Sequence, residues 1–217
     1  MCGRYALTST PTVIAERFHL LWTPEIAPRY NIAPSQTIPA VRETEQGREL
    51  AMLKWGLIPS WAKDASIGMK LINARGETLA DKPAFRSAYR QRRCLVPADA
   101  FYEWKPVAGR KQPYCIRMRE DGPFGMAGLW EHWKAPDGQT VESCTIITVN
   151  ANALVAELHD RMPLILAPSE YDAWLRAESK ELPPALPAQE MRYYPVSPLV
   201  SNARNDVPAC LDPIDKA

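Results

Sequence analysis

Twenty-one prolines are spread along a chain of 217 residues. Each fixes its own φ, removes a backbone donor and restricts the residue before it. Spread in this way they punctuate a loop-rich fold of short elements and do not mark a disordered tail. Between the breaks the apolar pattern alternates between strand and helix spacing. Residues 3–7 read as a strand. Thr10 and Pro11 form a cap followed by proline at the first helical position, and Ile14, Phe18 and Leu21 continue at helical spacing, which predicts a helix over 11–21 ended by Pro24 and Pro28. Residues 29–34 read as a polar and aromatic loop. Residues 37–42 and 49–55 read as a hairpin around Gln46-Gly47.

Further along, Pro83 opens a helix to about Tyr89. Residues 94–97 read as a short strand, and 113–119, 124–130 and 143–149 as central strands. Helices are expected over 152–159 and from Pro168 to about Ala177. Residues 182–188 form a Pro-rich connector, 191–196 a late strand, and the tail from Ser197 is irregular. Short strands with a few short helices and no βαβ rhythm predict an α+β fold. The expectation is one domain over 1–217, a mostly antiparallel, barrel-like β-sheet flanked by short helices.

The balance of 26 basic and 25 acidic side chains excludes a global field that would announce nucleic acid, so any nucleic-acid site must be a local patch. No signal peptide, lipidation signal or membrane-length apolar run is present, which predicts a cytoplasmic protein with no membrane partner. Five cysteines, at 2, 94, 115, 144 and 210, are odd in number and widely spaced. They read as reduced thiols, and without a C-x-x-C pair or a His/Cys cluster neither a metal nor a cofactor is expected.

Chemistry concentrates first in Met1-Cys2-Gly3-Arg4. Removal of Met1 would leave Cys2 with an α-amine and a thiol on adjacent carbons, a pair no internal cysteine has. The amine can condense with an aldehyde to a Schiff base, and the thiol can then close a five-membered thiazolidine. Alternatively the thiol attacks an acyl carbon with the amine as base. Cys2 could equally be a buried cysteine at a chain end. Glu103 stands among aromatics in Phe101-Tyr102-Glu103-Trp104. It is either a desolvated acid–base group or a surface glutamate on an edge strand. His159, beside Asp160 and Arg161, is either a proton-transfer group or a structural histidine. Trp55 reads as core, whereas Trp61 offers a flat face on which a base can stack. Arg86, Arg90, Arg92 and Arg93 form a basic run read as a solvated face, with phosphate contact as its alternative.

Taken in order, Met1-Cys2-Gly3-Arg4, Tyr30-Asn31-Ile32-Ala33-Pro34, Trp55-Gly56 with Pro59 and Trp61, Ile72-Asn73-Ala74-Arg75 with Glu77-Thr78, Phe101-Tyr102-Glu103-Trp104 and His159-Asp160-Arg161-Met162-Pro163 resemble the SRAP family, the SOS response-associated peptidases. The resemblance covers nearly the whole chain. It implies action on abasic sites in single-stranded DNA, whose ring-opened sugar exposes an aldehyde. It also implies AP-lyase activity and a self-processing peptidase activity at the protein's own N-terminus. The family's catalytic positions fall on Cys2, Asn73, Glu103 and His159. Its DNA contacts fall on Arg4, Arg75 and Arg161, with Asn31, Pro34, Trp61 and Thr148 beside them. Single-stranded DNA carrying abasic sites is the expected partner, and a monomer the expected state.

Two other classes compete. Glutamine amidotransferases with an N-terminal nucleophile also begin Met-Cys-Gly, but that reading predicts glutamine hydrolysis and leaves the Trp-rich loop and the His159 segment unexplained. A noncatalytic single-strand binder would make Cys2 incidental and yield no covalent product.

Overall fold

A computed structural model describes residues 2–214 of the chain. The first half contains β1 (Tyr5–Leu7), α1 (Pro11–Phe18), β2 (Arg29–Ile32), β3 (Thr37–Thr44), β4 (Gly47–Trp55), β5 (Asn73–Arg75) and α2 (Arg86–Gln91). There follow β6 (Arg93–Ala98), β7 (Ala100–Val107), β8 (Arg110–Met118), β9 (Phe124–Lys134) and β10 (Thr140–Asn150). The last elements are β11 (Arg161–Pro163), β12 (Ile165–Leu166), α3 (Tyr171–Leu175) and β13 (Met191–Pro195).

The strands form two sheets. One has the order β13-β8-β7-β1-β2. In the other, β10 pairs β4, β4 pairs β3, β3 pairs β6, β6 pairs β9, and β9 returns to β10. That circuit closes five strands into a barrel, which removes their open edges. β5 and β11 pair with β10, and β12 pairs with β9. Among the described residues parallel pairing is confined to β10 with β4 and with β5 and to an isolated Leu20–Arg48 bridge. The expected α+β class with a mostly antiparallel, barrel-like sheet is therefore what the chain adopts. One large core unites the sheets, with Tyr5 and Ile116 of the first joining Trp55, Leu95, Leu129 and Ile146 of the second.

Local chemistry explains the boundaries. The Thr10 side chain accepts from the Val13 N–H at the start of α1. The helix stops at Phe18, earlier than its apolar spacing suggests, because His19 turns left-handed at φ 52° and its N–H closes onto Ala15 and Glu16 carbonyls. Trp55 is fully buried, as expected, and its indole N–H donates to the Ile72 carbonyl. The chain then leaves β4 through Gly56 at φ +130°, where a Cβ would lie 2.6 Å from the Gly68 carbonyl oxygen. Only glycine permits that crossing.

Three expectations are corrected. Residues 29–32 form strand β2 and not a loop, because β1 pairs with them. Residues 152–159 carry a single 3-10 turn, Val155–Glu157, in place of a helix. Asn152 Oδ1 accepts the Val155 N–H as an N-cap does, and its amide N–H donates to the Leu186 carbonyl, but the turn it starts ends at Leu158. Arg86, Arg90, Arg92 and Arg93 are not one solvated face, since Arg93, the first residue of β6, is buried. The tail from Ser197 carries two 3-10 turns, Pro198–Ser201 and Pro208–Cys210, and packs on β2 and β8.

Candidate active site

Strand pairing brings the scattered motifs together. β1 runs against β7, with Tyr5 opposite Phe101 and the Tyr102 N–H donating to the Arg4 carbonyl. Continuing that register sets the segment just before β1, which carries Cys2, beside Glu103 and Trp104. On the other sheet, β10 carries β5 on one flank and β11 on the other, with Ile146 opposite Asn73, Thr148 opposite Arg75 and Asn150 opposite Arg161. The two sheets meet where the Asn73 amide donates to the Cys2 carbonyl at 2.8 Å.

Cys2 is fully buried. Burial, reinforced by the Glu103 charge, pushes its thiol far above the usual range, while the Arg4 backbone N–H favours the thiolate. The thiol therefore rests protonated. Asn73 keeps its Oδ1 buried and without a hydrogen-bond donor. Glu103 is 3% exposed on β7, an interior strand, so it is not on an edge. Burial lifts its carboxyl from the usual 4.5 to about 7, the range in which a carboxyl exchanges protons in both directions at neutral pH.

His159 lies in the loop before β11, and burial lowers its pKa. Its Nδ1 accepts from the Arg161 N–H at 2.9 Å and also lies 2.9 Å from the Asp160 carboxylate. The two contacts favour opposite protonation states. Asp160 is 84% exposed, so solvent screens its pull. The neutral ring with its proton on Nε2 is the state that agrees with burial. Glu103 and His159 open onto one cleft of about 530 Å³ whose other walls are Arg4, Trp104, Lys111 and Ser201.

The residues expected to meet DNA divide. Arg75 is exposed on β5. Trp61 is 58% exposed, its indole N–H 3.4 Å from the Pro83 carbonyl. Pro34 is half-buried in the turn before Ser35. Arg4 lines the cleft, but its Nη1 is held by Asn31 Oδ1 at 2.8 Å and the Val200 carbonyl at 2.6 Å. Asn31 is wholly buried and donates to the Val200, Asn202 and Asn205 carbonyls, so its side chain grips the C-terminal tail. Arg161 is also buried. Its guanidinium makes a fork onto Glu77 at 2.5 and 2.9 Å and donates to Asn150 Oδ1 and the Thr148 carbonyl. That pairing holds the Glu77 carboxyl below its usual range. Thr148 is buried in β10 and contributes through its backbone.

Sequence reasoning missed three walls of the cleft. Trp104 stands next to Glu103, and its indole N–H donates to Ser201 Oγ at 3.0 Å. The aromatic cluster could have indicated it. Lys111 reaches the cleft only because β8 folds back on β7, opposite Pro106, and no motif marks it. Ser201 comes from the tail. Among the described residues no cluster of three or more His, Cys, Asp or Glu could hold a metal ion, and no helix is long and apolar enough to cross a membrane.

The chain is similar to several known proteins. The abasic site processing protein YoqW of Bacillus subtilis is 41% identical over 222 residues, covering 98% of this chain and 99% of that one. The abasic site processing protein HMCES of Xenopus tropicalis is 32% identical over 260 residues, covering 97% of this chain and 78% of that one. A crystal structure from Bordetella bronchiseptica, 28% identical, superposes with a TM-score of 0.80 over 90% of this chain and 100% of its own. One from Bacteroides thetaiotaomicron, 24% identical, shares the fold with a TM-score of 0.87 over 98% of this chain and all of its own. The family model described as SOS response associated peptidase (SRAP) matches residues 1–203, and the chain belongs to that family.

Proposed function

We propose that this protein processes abasic sites in single-stranded DNA by trapping the open-chain aldehyde covalently on Cys2. The observation that carries the reading is the meeting of Cys2, Asn73 and Glu103. The Asn73 amide fixes the Cys2 backbone, and a buried carboxyl poised near pH 7 bears on the thiol. Family membership supports the same reading, through relatives named for abasic site processing.

The chemistry follows from the resting protonation states. With Met1 removed, Cys2 presents its α-amine while its thiol stays protonated, so the amine attacks first. The vacant Asn73 Oδ1 is the acceptor that orients the amine N–H. Attack on the aldehyde carbon gives a carbinolamine, with a proton passing from nitrogen to oxygen. Protonated Glu103 then delivers a proton to the departing hydroxyl, and water leaves as the C=N bond forms. The Glu103 carboxylate next takes the thiol proton, which restores its acid form, and sulfur adds to the iminium carbon while the ring nitrogen keeps its own hydrogen. The product is a thiazolidine, with one water lost overall. His159, neutral with its proton on Nε2, donates to the sugar ring oxygen and favours the open aldehyde. When sulfur does not close the ring, the Schiff base permits β-elimination, which is AP-lyase activity. Peptidase activity is assigned to release of the protein's own Met1.

Arg4, Lys111 and Arg75 supply positive charge along the strand, and Trp61 and Trp104 supply stacking faces. Arg161, Asn31 and Thr148 act from within, holding His159, Arg4 and β11 in place. The protein works in the cytoplasm, on the nucleoid, as a monomer. The test is incubation with single-stranded DNA carrying one abasic site, followed by a denaturing gel. A slow-migrating band that requires both the abasic site and Cys2 is expected. Glutamine hydrolysis without such a band would instead identify an amidotransferase, and DNA binding without a band a passive binder.

A further inference from the structure

Three arginines are buried among the described residues: Arg48, Arg93 and Arg161. Two of them are paired with acids. Arg48 meets Glu43 and Asp172, and Arg161 meets Glu77. Arg93 meets none. Its guanidinium lies 4.4 Å from the Tyr89 ring centre and 4.5 Å from that of Trp174, and it donates to the Tyr89 and Ser179 carbonyls at 2.8 and 2.7 Å. Burial lowers its pKa. A buried cation without a counter-ion is costly to a fold.

Arg93 opens onto a cavity of about 470 Å³ whose walls also include Arg90 and Lys180, while no carboxylate lines it among the described residues. Three cations thus face one space without an anion. The remaining walls, Ala80, Tyr89 and Ala177, are uncharged. The position bears on the strand track. Ala80 lies five residues beyond Arg75, within about 18 Å at full extension, and Leu182, just past Lys180, packs against Gly76.

We propose that the Arg90–Arg93–Lys180 cavity is a phosphate-binding site, placed to receive a backbone phosphate of the DNA strand a few nucleotides beyond the abasic sugar. Arg93 supplies the guanidinium N–H groups that the Tyr89 and Ser179 carbonyls leave over, preset by two aromatic rings, and Arg90 and Lys180 close on the anion from the rim. The strand as source rests on the single-stranded DNA reading above, whereas a free phosphate group would use the same chemistry.

The experiment uses the intact protein and two probes. The first is a series of abasic-free oligo-dT strands of increasing length, bound at several salt concentrations and followed by fluorescence anisotropy. The second is inorganic phosphate, followed by broadening of its phosphorus resonance. Arg93 packs in the core, so the variants are R90A with K180A, and R93K, which keeps the charge and loses the guanidinium. R86A, an exposed site on the same helix that does not line the cavity, is the control, and thermal denaturation checks folding. R90A/K180A is expected to flatten the salt slope for long strands by about 0.7 to 1.4, one to two phosphate contacts, with short strands and R86A unchanged. If only phosphate broadening is lost, the site takes a free phosphate. If the folded variants match wild type with both probes, the site does not exist. Failure of wild type to bind any strand would instead overturn the strand-binding reading, leaving phosphate broadening to decide the cavity.

Discussion

Arg75 and Arg161 lie on the two strands that flank β10, at nearly the same level, and they have opposite fates. Arg75, on β5, is exposed. Arg161, on β11, has its guanidinium spent on Glu77, Asn150 and the Thr148 carbonyl. One flank offers charge to solvent, and the other uses charge to fix the segment that carries His159. On the proposed reading the same residue type serves recognition on one side of β10 and geometry on the other.

The sharpest break of that comparison lies in neither arginine but in the chemistry between them. Cys2→Ser keeps the α-amine and loses the thiol, so the heat-stable adduct should vanish while borohydride-trapped Schiff base and strand cleavage persist in part. A heat-stable adduct at wild-type yield would assign crosslinking to another residue, with Lys111 in the cleft the first to examine. Next in size, Glu103→Gln and His159→Ala should each slow crosslinking by about 10²-fold, with affinity for intact single-stranded DNA little changed. Weak binding with a normal rate at saturating DNA would move both residues to the recognition side.

Glu103→Gln also has a stability signature. The folded carboxyl titrates near 7, above its usual 4.5, so between these values the folded state holds the proton more tightly than the unfolded chain. The contribution is fully present below pH 4.5 and is lost as pH rises through 7. Glutamine cannot lose it. Relative to wild type, Glu103→Gln should gain stability from pH 5 to pH 8, by about 1–3 kcal/mol. Chemical denaturation at the two pH values measures this, and equal differences at both would mean the carboxyl is not desolvated.

The arginines themselves come next. Arg161→Ala should cost about 1–3 kcal/mol of stability and lower the crosslinking rate at saturating DNA, because the strand presenting the His159 partner N–H loosens. Arg75→Ala should leave stability within about 0.5 kcal/mol and flatten the salt dependence of DNA binding by about 0.7. Salt titration and thermal denaturation of both variants separate the roles. A flattened slope in Arg161→Ala with unchanged stability would erase the distinction.

Much of this was legible in the sequence, and the gaps have physical causes. Proline spacing and short alternating runs indicate the α+β class, and Gln46-Gly47 marks the β3–β4 hairpin. Cys2, Asn73, Glu103 and His159 were visible as motifs because each needs its chemical type. What local patterns conceal is where a charge is spent. Nothing near Arg161 announces Glu77, 84 residues away. Nothing in Tyr30-Asn31 shows that the amide will grip carbonyls about 170 residues on. The Arg86–Arg93 run reads as one face until β6 begins at Arg93 and turns that side chain inward between Tyr89 and Trp174. The tail lacks periodicity, so its role in framing the cleft through Val200 and Ser201 appears only once tertiary contacts are known.

The most direct test of the Cys2 mechanism is the intact mass of the purified adduct with an abasic oligonucleotide, combined with peptide mapping of the attachment. The predicted mass is that of the protein without Met1, plus the oligonucleotide, minus one water, with the DNA on the peptide that begins at Cys2. An adduct that retains Met1, or one mapped to Lys111, would contradict it.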